Sequence, residues 1–146
     1  MEHAFTQVFA EGCPRAVLVG SDIPDLPPAA FSEAIRALDD HDAVIGPAQD
    51  GGYYLIGFRT NAFLPDVFRD IEWSTADVFS KTMQILDRSG RKVLQLPRWR
   101  DVDTLDDLRD LVARNDDTAF RGSRTMKYLS KGKFNILPSE VRDAAI

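Results

Sequence analysis

Apolar positions along this chain recur first at helical spacing and then in short strand-like runs. Ala4, Phe5, Val8 and Phe9 share one face of a helix over residues 1–12, which Gly12 ends. The unbroken run Ala16–Val19 reads as a first strand. Pro27-Pro28 opens a helix over residues 28–39, with Ala30, Phe31, Ile35 and Leu38 turned inward. Asp42–Gly46 predicts a second strand, the aromatic and apolar Tyr53–Phe58 a third, and Lys92–Leu96 a fourth that Pro97 stops. Ser74 and Asp77 have capping-box spacing ahead of a helix that reaches Arg88 and is closed by Gly90. Thr104 and Asp107 repeat that signal ahead of a helix from Leu105 to Arg114. Two short helices, over residues 119–129 and 139–145, complete the pattern.

Strands alternating with helices predict an α/β layered fold, in which the segment Gly51–Phe58 is the one suited to antiparallel pairing. The length of 146 residues suits one compact domain. Beyond Asn115 the character changes: between Arg121 and Lys133 stand five basic residues and no acid. The expected division is therefore a domain over residues 1–114 and a solvated helical extension over 115–146.

Charge and cysteine content narrow the function classes. A formal charge of −5 argues against general nucleic-acid binding, which needs an excess of Lys and Arg to neutralise phosphates. No apolar run approaches the roughly 18 residues of a membrane span, and the N-terminus has no signal-peptide pattern, so a cytoplasmic location is the expectation. Cys13 is the single cysteine, which excludes an internal disulfide and a cysteine metal site and predicts a buried structural thiol. His3 and His41 have no metal-ligand partner at useful spacing and read as surface residues.

Candidate chemistry lies where strands end. Asp22 follows the first strand, Asp50 precedes the Gly51-Gly52 turn, and Asp101 and Asp103 follow the fourth strand. In open α/β sheets ligands sit outside the carboxyl ends of the strands, so these acids are expected to converge on one rim if the strands lie side by side. Two or three carboxylates around a cleft suit Mg²⁺ or Mn²⁺, which favour oxygen ligands and leave places for substrate phosphates. Each acid also has a local explanation: a turn for Asp22, helix capping for Asp101 and Asp103. Gly51-Gly52 permits a tight hairpin and equally the close approach of a ligand, with Asp50 placed to accept hydrogen bonds from a hydroxyl. Trp73 is either a core plug or a binding platform, and Ser74 and Thr75 add hydroxyls beside it. Asp101-Val102-Asp103-Thr104 also matches the short DxDxT pattern of haloacid-dehalogenase-like phosphatases. Pro97-Arg98-Trp99-Arg100 interrupts the apolar strand that should lead into such a nucleophile.

Four stretches taken in order resemble one family. Val17–Pro27 (VLVGSDIPDLP), Ile45–Gly57 (IGPAQDGGYYLIG), Ile71–Thr75 (IEWST) and Asp101–Leu108 (DVDTLDDL) are similar to the bacterial DUF2064 group. Its members are glycosyltransferase-like proteins associated with radical-SAM and selenodomain proteins. The resemblance covers residues 1–114 and implies the three-layer GT-A, nucleotide-diphospho-sugar transferase fold.

It further implies Asp22 and Asp50 as catalytic acids, with Asp22, Asp101 and Asp103 holding Mg²⁺ or Mn²⁺. Ser21, Asp25, Gly51, Gly52, Tyr53, Trp73, Ser74 and Thr75 would then line the substrate. The implied reaction is metal-assisted transfer of a sugar from a nucleotide-diphospho-sugar, the implied partner being a nucleotide-sugar or nucleotide. A nucleotidyltransferase of similar fold and an inactive binding or oligomerisation module are the alternatives. The family's N-terminal strand and its basic Pro/Gly loop have no counterpart here. The fold is therefore expected to lack its N-terminal strands, leaving Ala16–Val19 at an exposed sheet edge that a homo-oligomer could cover.

Overall fold

The structure, a computed structural model, describes residues 1–131. They divide into two compact units: Met1–Ser21 with Leu26–Arg100, and Asp22–Asp25 with the chain from Asp101 onward. The expected boundary between residues 114 and 115 falls inside the second unit.

The first unit is built on a mixed four-stranded sheet. Its strands are β1 (Arg15–Val19), β2 (Ala43–Pro47), β3 (Tyr53–Arg59) and β4 (Val93–Gln95), in the order β1-β3-β2-β4. β3 is antiparallel to both β1 and β2, while β2 and β4 are parallel. β1, β2 and β4 therefore all run one way, and the segments that follow them leave the same end of the sheet.

Side-chain alternation assigns the two faces. Ala16, Leu18, Ala43, Ile45, Ile56, Phe58 and Val93 point into one core with Phe5 and Phe9 of α1 (Glu2–Ala10) and with Phe79, Met83 and Leu86 of α3 (Val78–Arg88). Phe58 is fully buried there, edge-on to Phe5 at 5.3 Å and to Phe63 at 5.5 Å. On the opposite face Val17 and Val44 flank Gly57 so closely that an added Cβ would lie within 2.9 Å of both. There α2 (Pro28–Ala37) packs on β1 and β2. The result is the arrangement of helices about a sheet that the family resemblance implies.

Asp42 staples the sheet at its far end. Its carboxylate accepts the Lys92 N–H at 2.9 Å and an Arg59 guanidinium N–H at 2.6 Å, joining the start of β2 to the approach to β4 and to the end of β3. The Lys92 N–H first, and the guanidinium next, hold its carboxyl below the usual carboxylate range.

Three local expectations are corrected. In α2 the buried stripe runs through Ala34 and the following Leu38, with Ala30 half-buried, whereas Phe31 and Ile35 are 41% and 38% exposed. Those two lie one residue, and so about 100°, around the helix from Ala30 and Ala34. Ser74 does not cap α3: it adopts φ +64, and Asp77 is the N-cap residue without a side-chain bond. Backbone carbonyls do the capping instead, Thr75 O accepting from Val78 N and Gly51 O from Phe79 N. Cys13 is exposed, because the turn at Gly12 that ends α1 carries it outside the core. The Gly90 expectation holds: Gly90 has φ +64, with Gly90 N bonded to Asp87 O and Arg91 N to Leu86 O in a Schellman closure.

The second unit is organised by α4 (Leu105–Arg114) and α5 (Arg124–Leu129). Thr104 and Asp107 form the predicted capping box, with Asp107 N donating to Thr104 Oγ1 and Thr104 N to Asp107 Oδ2. Leu111 and Leu129 make a small core with Val102, Leu108, Val112 and Phe120. The single helix expected over 119–129 is instead a 3-10 turn, Ala119–Gly122, followed by α5, whose N-cap Ser123 accepts from Met126 N. The helix expected over 139–145 lies outside the described residues. Among the described residues no helix is long and apolar enough to cross a membrane.

Candidate functional site

The expected site residues fall in both units. Ser21, Asp50, Gly51, Gly52, Tyr53, Trp73, Ser74 and Thr75 belong to the first, and Asp22, Asp25, Asp101 and Asp103 to the second.

In the first unit the segments leaving the common end of β1, β2 and β4 form a rim. Gly20 N donates to Tyr54 O, so pairing with β3 continues one residue past β1, and the next residue, Ser21, is exposed. Behind β2, Ala48 N bonds Gly52 O and closes the hairpin whose tip is Asp50-Gly51. The exposed Asp50 carboxylate accepts the Gly52 N–H at 2.8 Å, an Asx turn that fixes its direction. Beyond β4 the chain stays beside β2's exit, Trp99 N bonding Pro47 O at 3.1 Å.

Gly51 ties this hairpin to the loop ahead of α3. Its φ is +95, and a Cβ there would lie 2.2 Å from the carbonyl oxygen of Ala76. Only glycine allows that contact, and with it the Gly51 O to Phe79 N bond at 2.9 Å. Tyr53 braces the same junction, its ring edge-on to Trp73 with centroids 6.4 Å apart. Burial pushes the Tyr53 phenol well above its ordinary pKa, while the neighbouring Thr82 hydroxyl acts the other way. Tyr53 thus stays protonated at neutral pH and serves as a brace.

Trp73 is 42% exposed, which removes the core-plug reading and leaves an indole facing solvent beside two hydroxyl residues. Ser74 is held in the left-handed region, a conformation that serine rarely adopts outside constrained loops. Thr75 Oγ1 donates to Glu72 O at 2.9 Å, stiffening the turn. Asp50, Gly51 and Gly52 are therefore brought together with Trp73, Ser74 and Thr75 in one braced structure. What joins them, the Ala76 backbone, leaves no signal in residue type or spacing.

In the second unit Val102 N donates to Asp22 O at 2.9 Å, placing the two acidic segments side by side. Asp22 and Asp103 are exposed. Asp25 is different: its side chain is 3% exposed and accepts from Arg114 Nε at 2.8 Å, from a second Arg114 nitrogen at 3.1 Å and from Asn115 Nδ2 at 2.8 Å. This carboxylate anchors the Asp22–Asp25 turn to the end of α4. Asn115 in turn bonds Leu111 O, so the anchor reaches the small core.

Among the described residues no three His, Cys, Asp or Glu side chains gather as a metal cage. A hard cation bound by one or two carboxylates together with substrate phosphates needs no such cage. Two depressions of the first unit lie elsewhere. One of about 390 Å³ includes Asp66, Arg69, Lys81 and Arg88 in its lining, and one of about 420 Å³ includes Arg15, Asp39, Arg59 and Asn61.

The model of a family described as "Uncharacterized protein conserved in bacteria (DUF2064)" matches residues 1–75. A crystal structure from Desulfovibrio desulfuricans G20, described as a "putative nucleotide-diphospho-sugar transferase", is 49% identical with a TM-score of 0.87. The match covers 89% of this chain and 56% of that one, so the present chain spans little more than half the length of that relative. No curated protein sequence matches the chain.

Proposed function

Because this chain belongs to the DUF2064 family, we propose that it is a glycosyltransferase-like domain acting on a nucleotide-diphospho-sugar with the help of Mg²⁺ or Mn²⁺. The observation that carries this reading is the 49% identity, over 89% of the chain, to a solved protein described as that kind of transferase. The braced rim at the strands' carboxyl ends supports it, since this is where open α/β sheets place their ligands.

The roles follow from the residues' chemistry. Asp22, with Asp103 or Asp101, would hold the cation through hard carboxylate oxygens. When bound, that cation neutralises the charge that develops on the diphosphate leaving group. Asp50, held by the Gly52 N–H, accepts a hydrogen bond from a sugar or acceptor hydroxyl and is the candidate general base. The exposed Trp73 indole offers a flat apolar surface to a sugar ring, with the Ser74 and Thr75 hydroxyls beside it. Gly51 and Gly52 let the ligand approach the backbone, and Ser21 lies at the β1 exit.

Thermal unfolding with nucleotide-diphospho-sugars, with and without Mn²⁺, tests the reading. A ligand at a hundred times its Kd stabilises the folded state by about 2.7 kcal/mol. The expected result is a Mn²⁺-dependent rise in melting temperature that Asp22→Asn removes. A wild-type chain with no metal-dependent rise for any such donor would overturn the proposal. A rise that Asp22→Asn leaves intact would take Asp22 out of the cation site.

A further inference from the structure

The outward face of α3 borders a cavity that the rim does not use. Lys81, Gln84, Ile85 and Arg88 recur at three- and four-residue spacing, so all four lie on one side of the helix. The 3-10 turn Pro65–Phe68 packs beside α3, and the chain that leaves it, Arg69-Asp70-Ile71, completes the enclosure. The space between is about 390 Å³, within the range that small-molecule sites occupy. Buried Ile71 and half-buried Ile85 give it an apolar floor.

The charges around this cavity are not equally engaged. Three cations, Arg69, Lys81 and Arg88, line it against two carboxylates, Asp66 and Asp70. Arg69 is already committed, with Nη2 donating to Glu2 Oε1 at 2.6 Å, Nε to Glu2 Oε2 at 3.3 Å and Nη1 to Asp66 Oδ1 at 3.2 Å. That network also neutralises Asp66. Lys81 Nζ lies 4.0 Å from Glu72 Oε2, too long for a hydrogen bond, and both side chains are exposed, so the pair holds the lysine weakly. Among the described residues, the side chains of Gln84, Arg88 and Asp70 make no hydrogen bond or ion pair. Asp70 is presented by a backbone at φ +53, a conformation that aspartate tolerates better than most residues. The cavity therefore offers two unneutralised cations, one unneutralised carboxylate and an unpaired amide.

A matching ligand carries about two negative charges and one positive. A phosphate monoester approaches two negative charges at neutral pH and a carboxylate has only one, while a protonated amine supplies the positive charge. A nucleotide-diphospho-sugar has no cation to offer Asp70. We propose that this cavity is a binding site for a small phosphomonoester that also bears an ammonium group. Lys81 and Arg88 hold the phosphate oxygens, Gln84 donates to one of them, and Asp70 accepts from the ammonium. The cavity shares no lining residue with the rim, and the inference holds whatever reaction the rim performs.

Phosphoethanolamine is the probe, with inorganic phosphate and ethanolamine as its two halves. Titration of the full chain, followed by calorimetry and backbone amide shifts, should show one saturable site for phosphoethanolamine, with shifts at residues 69–71 and 81–88. Its affinity should exceed that of inorganic phosphate by about tenfold, and ethanolamine alone should not bind measurably. Arg88 is exposed and unpartnered among the described residues, so Arg88→Gln should leave the melting temperature unchanged while weakening phosphoethanolamine by about tenfold. Asp70→Asn, which keeps a residue suited to positive φ, should bring phosphoethanolamine and phosphate to equal affinity. No saturable binding of phosphoethanolamine overturns the proposal, as does binding that Arg88→Gln leaves unchanged or a preference that survives Asp70→Asn. Equal affinities for phosphoethanolamine and phosphate in the unsubstituted chain overturn it too, because the cavity would then read negative charge alone. Shifts confined to Gly51, Gly52, Ser74 and Thr75 would place the ligand at the rim and have the same consequence.

Discussion

Gly51→Ala is expected to destabilise the protein by about 3 kcal/mol, from a backbone held at positive φ and from forced displacement of a packed neighbour. The methyl group would sit 2.2 Å from Ala76 O and 2.5 Å from Ala76 Cα, and backbone cannot step aside as a flexible side chain can. The chain must then separate the Asp50 hairpin from the loop of Trp73, Ser74 and Thr75, losing the Gly51 O to Phe79 N bond. Urea unfolding measures the energy, and tryptophan fluorescence reports the release of Trp73. Gly52→Ala is the control. The nearest atoms to its added methyl all belong to the Asp50 side chain, Oδ1 closest at 3.2 Å, so its cost should stay below about 1 kcal/mol. Equal losses for the two variants would show that the hairpin and the loop are not locked through Gly51.

Asp25→Ala is expected to cost about 2–3 kcal/mol, because removing one member of a buried ion pair strands the other. The figure is set below that of a fully buried pair, since Arg114 is 21% exposed and keeps Asp110 at 2.7 Å. Asn115 loses the same acceptor while remaining buried. A second readout separates anchoring from general destabilisation. The Val102 amide, bonded to Asp22 O, should lose exchange protection at denaturant concentrations where the Leu111 amide keeps its own. Asp110→Ala, which removes only the more exposed partner of Arg114, should cost well under half as much. If Asp25→Ala left the Val102 amide protected, the turn that presents Asp22 would be held by something other than this carboxylate.

Much of this architecture was legible because it is local. The apolar runs at Val44–Ile45 and Leu55–Phe58 are buried on both faces of the sheet and read as strands without further help. Thr104 and Asp107 lie three residues apart in a chain that needs nothing else to form the box. What escaped depends on partners remote in sequence. Ser74 carries the same capping signature as Thr104, but the carbonyls of Thr75 and Gly51 take the first N–H groups of α3 and the serine is turned to φ +64. Asp25 reads like one more acid in an acidic motif, and only Arg114 and Asn115, 89 and 90 positions away, make it an anchor. Phe31 and Ile35 suit an inward helix stripe, but the stripe is fixed by Ala34 and Leu38, and a one-residue rotation leaves the larger pair outside. The exposure of Trp73 follows from a loop path that no periodicity encodes.

Backbone amide shifts during titration with nucleotide-diphospho-sugars in the presence of Mg²⁺ test the central claim most directly. The account predicts shifts at Gly51, Gly52, Ser74 and Thr75 in the first unit and at Asp22 and Asp103 in the second, smaller when Mg²⁺ is withheld. Unchanged spectra with every donor, or shifts confined to the depression of Arg69, Lys81 and Arg88, would contradict it.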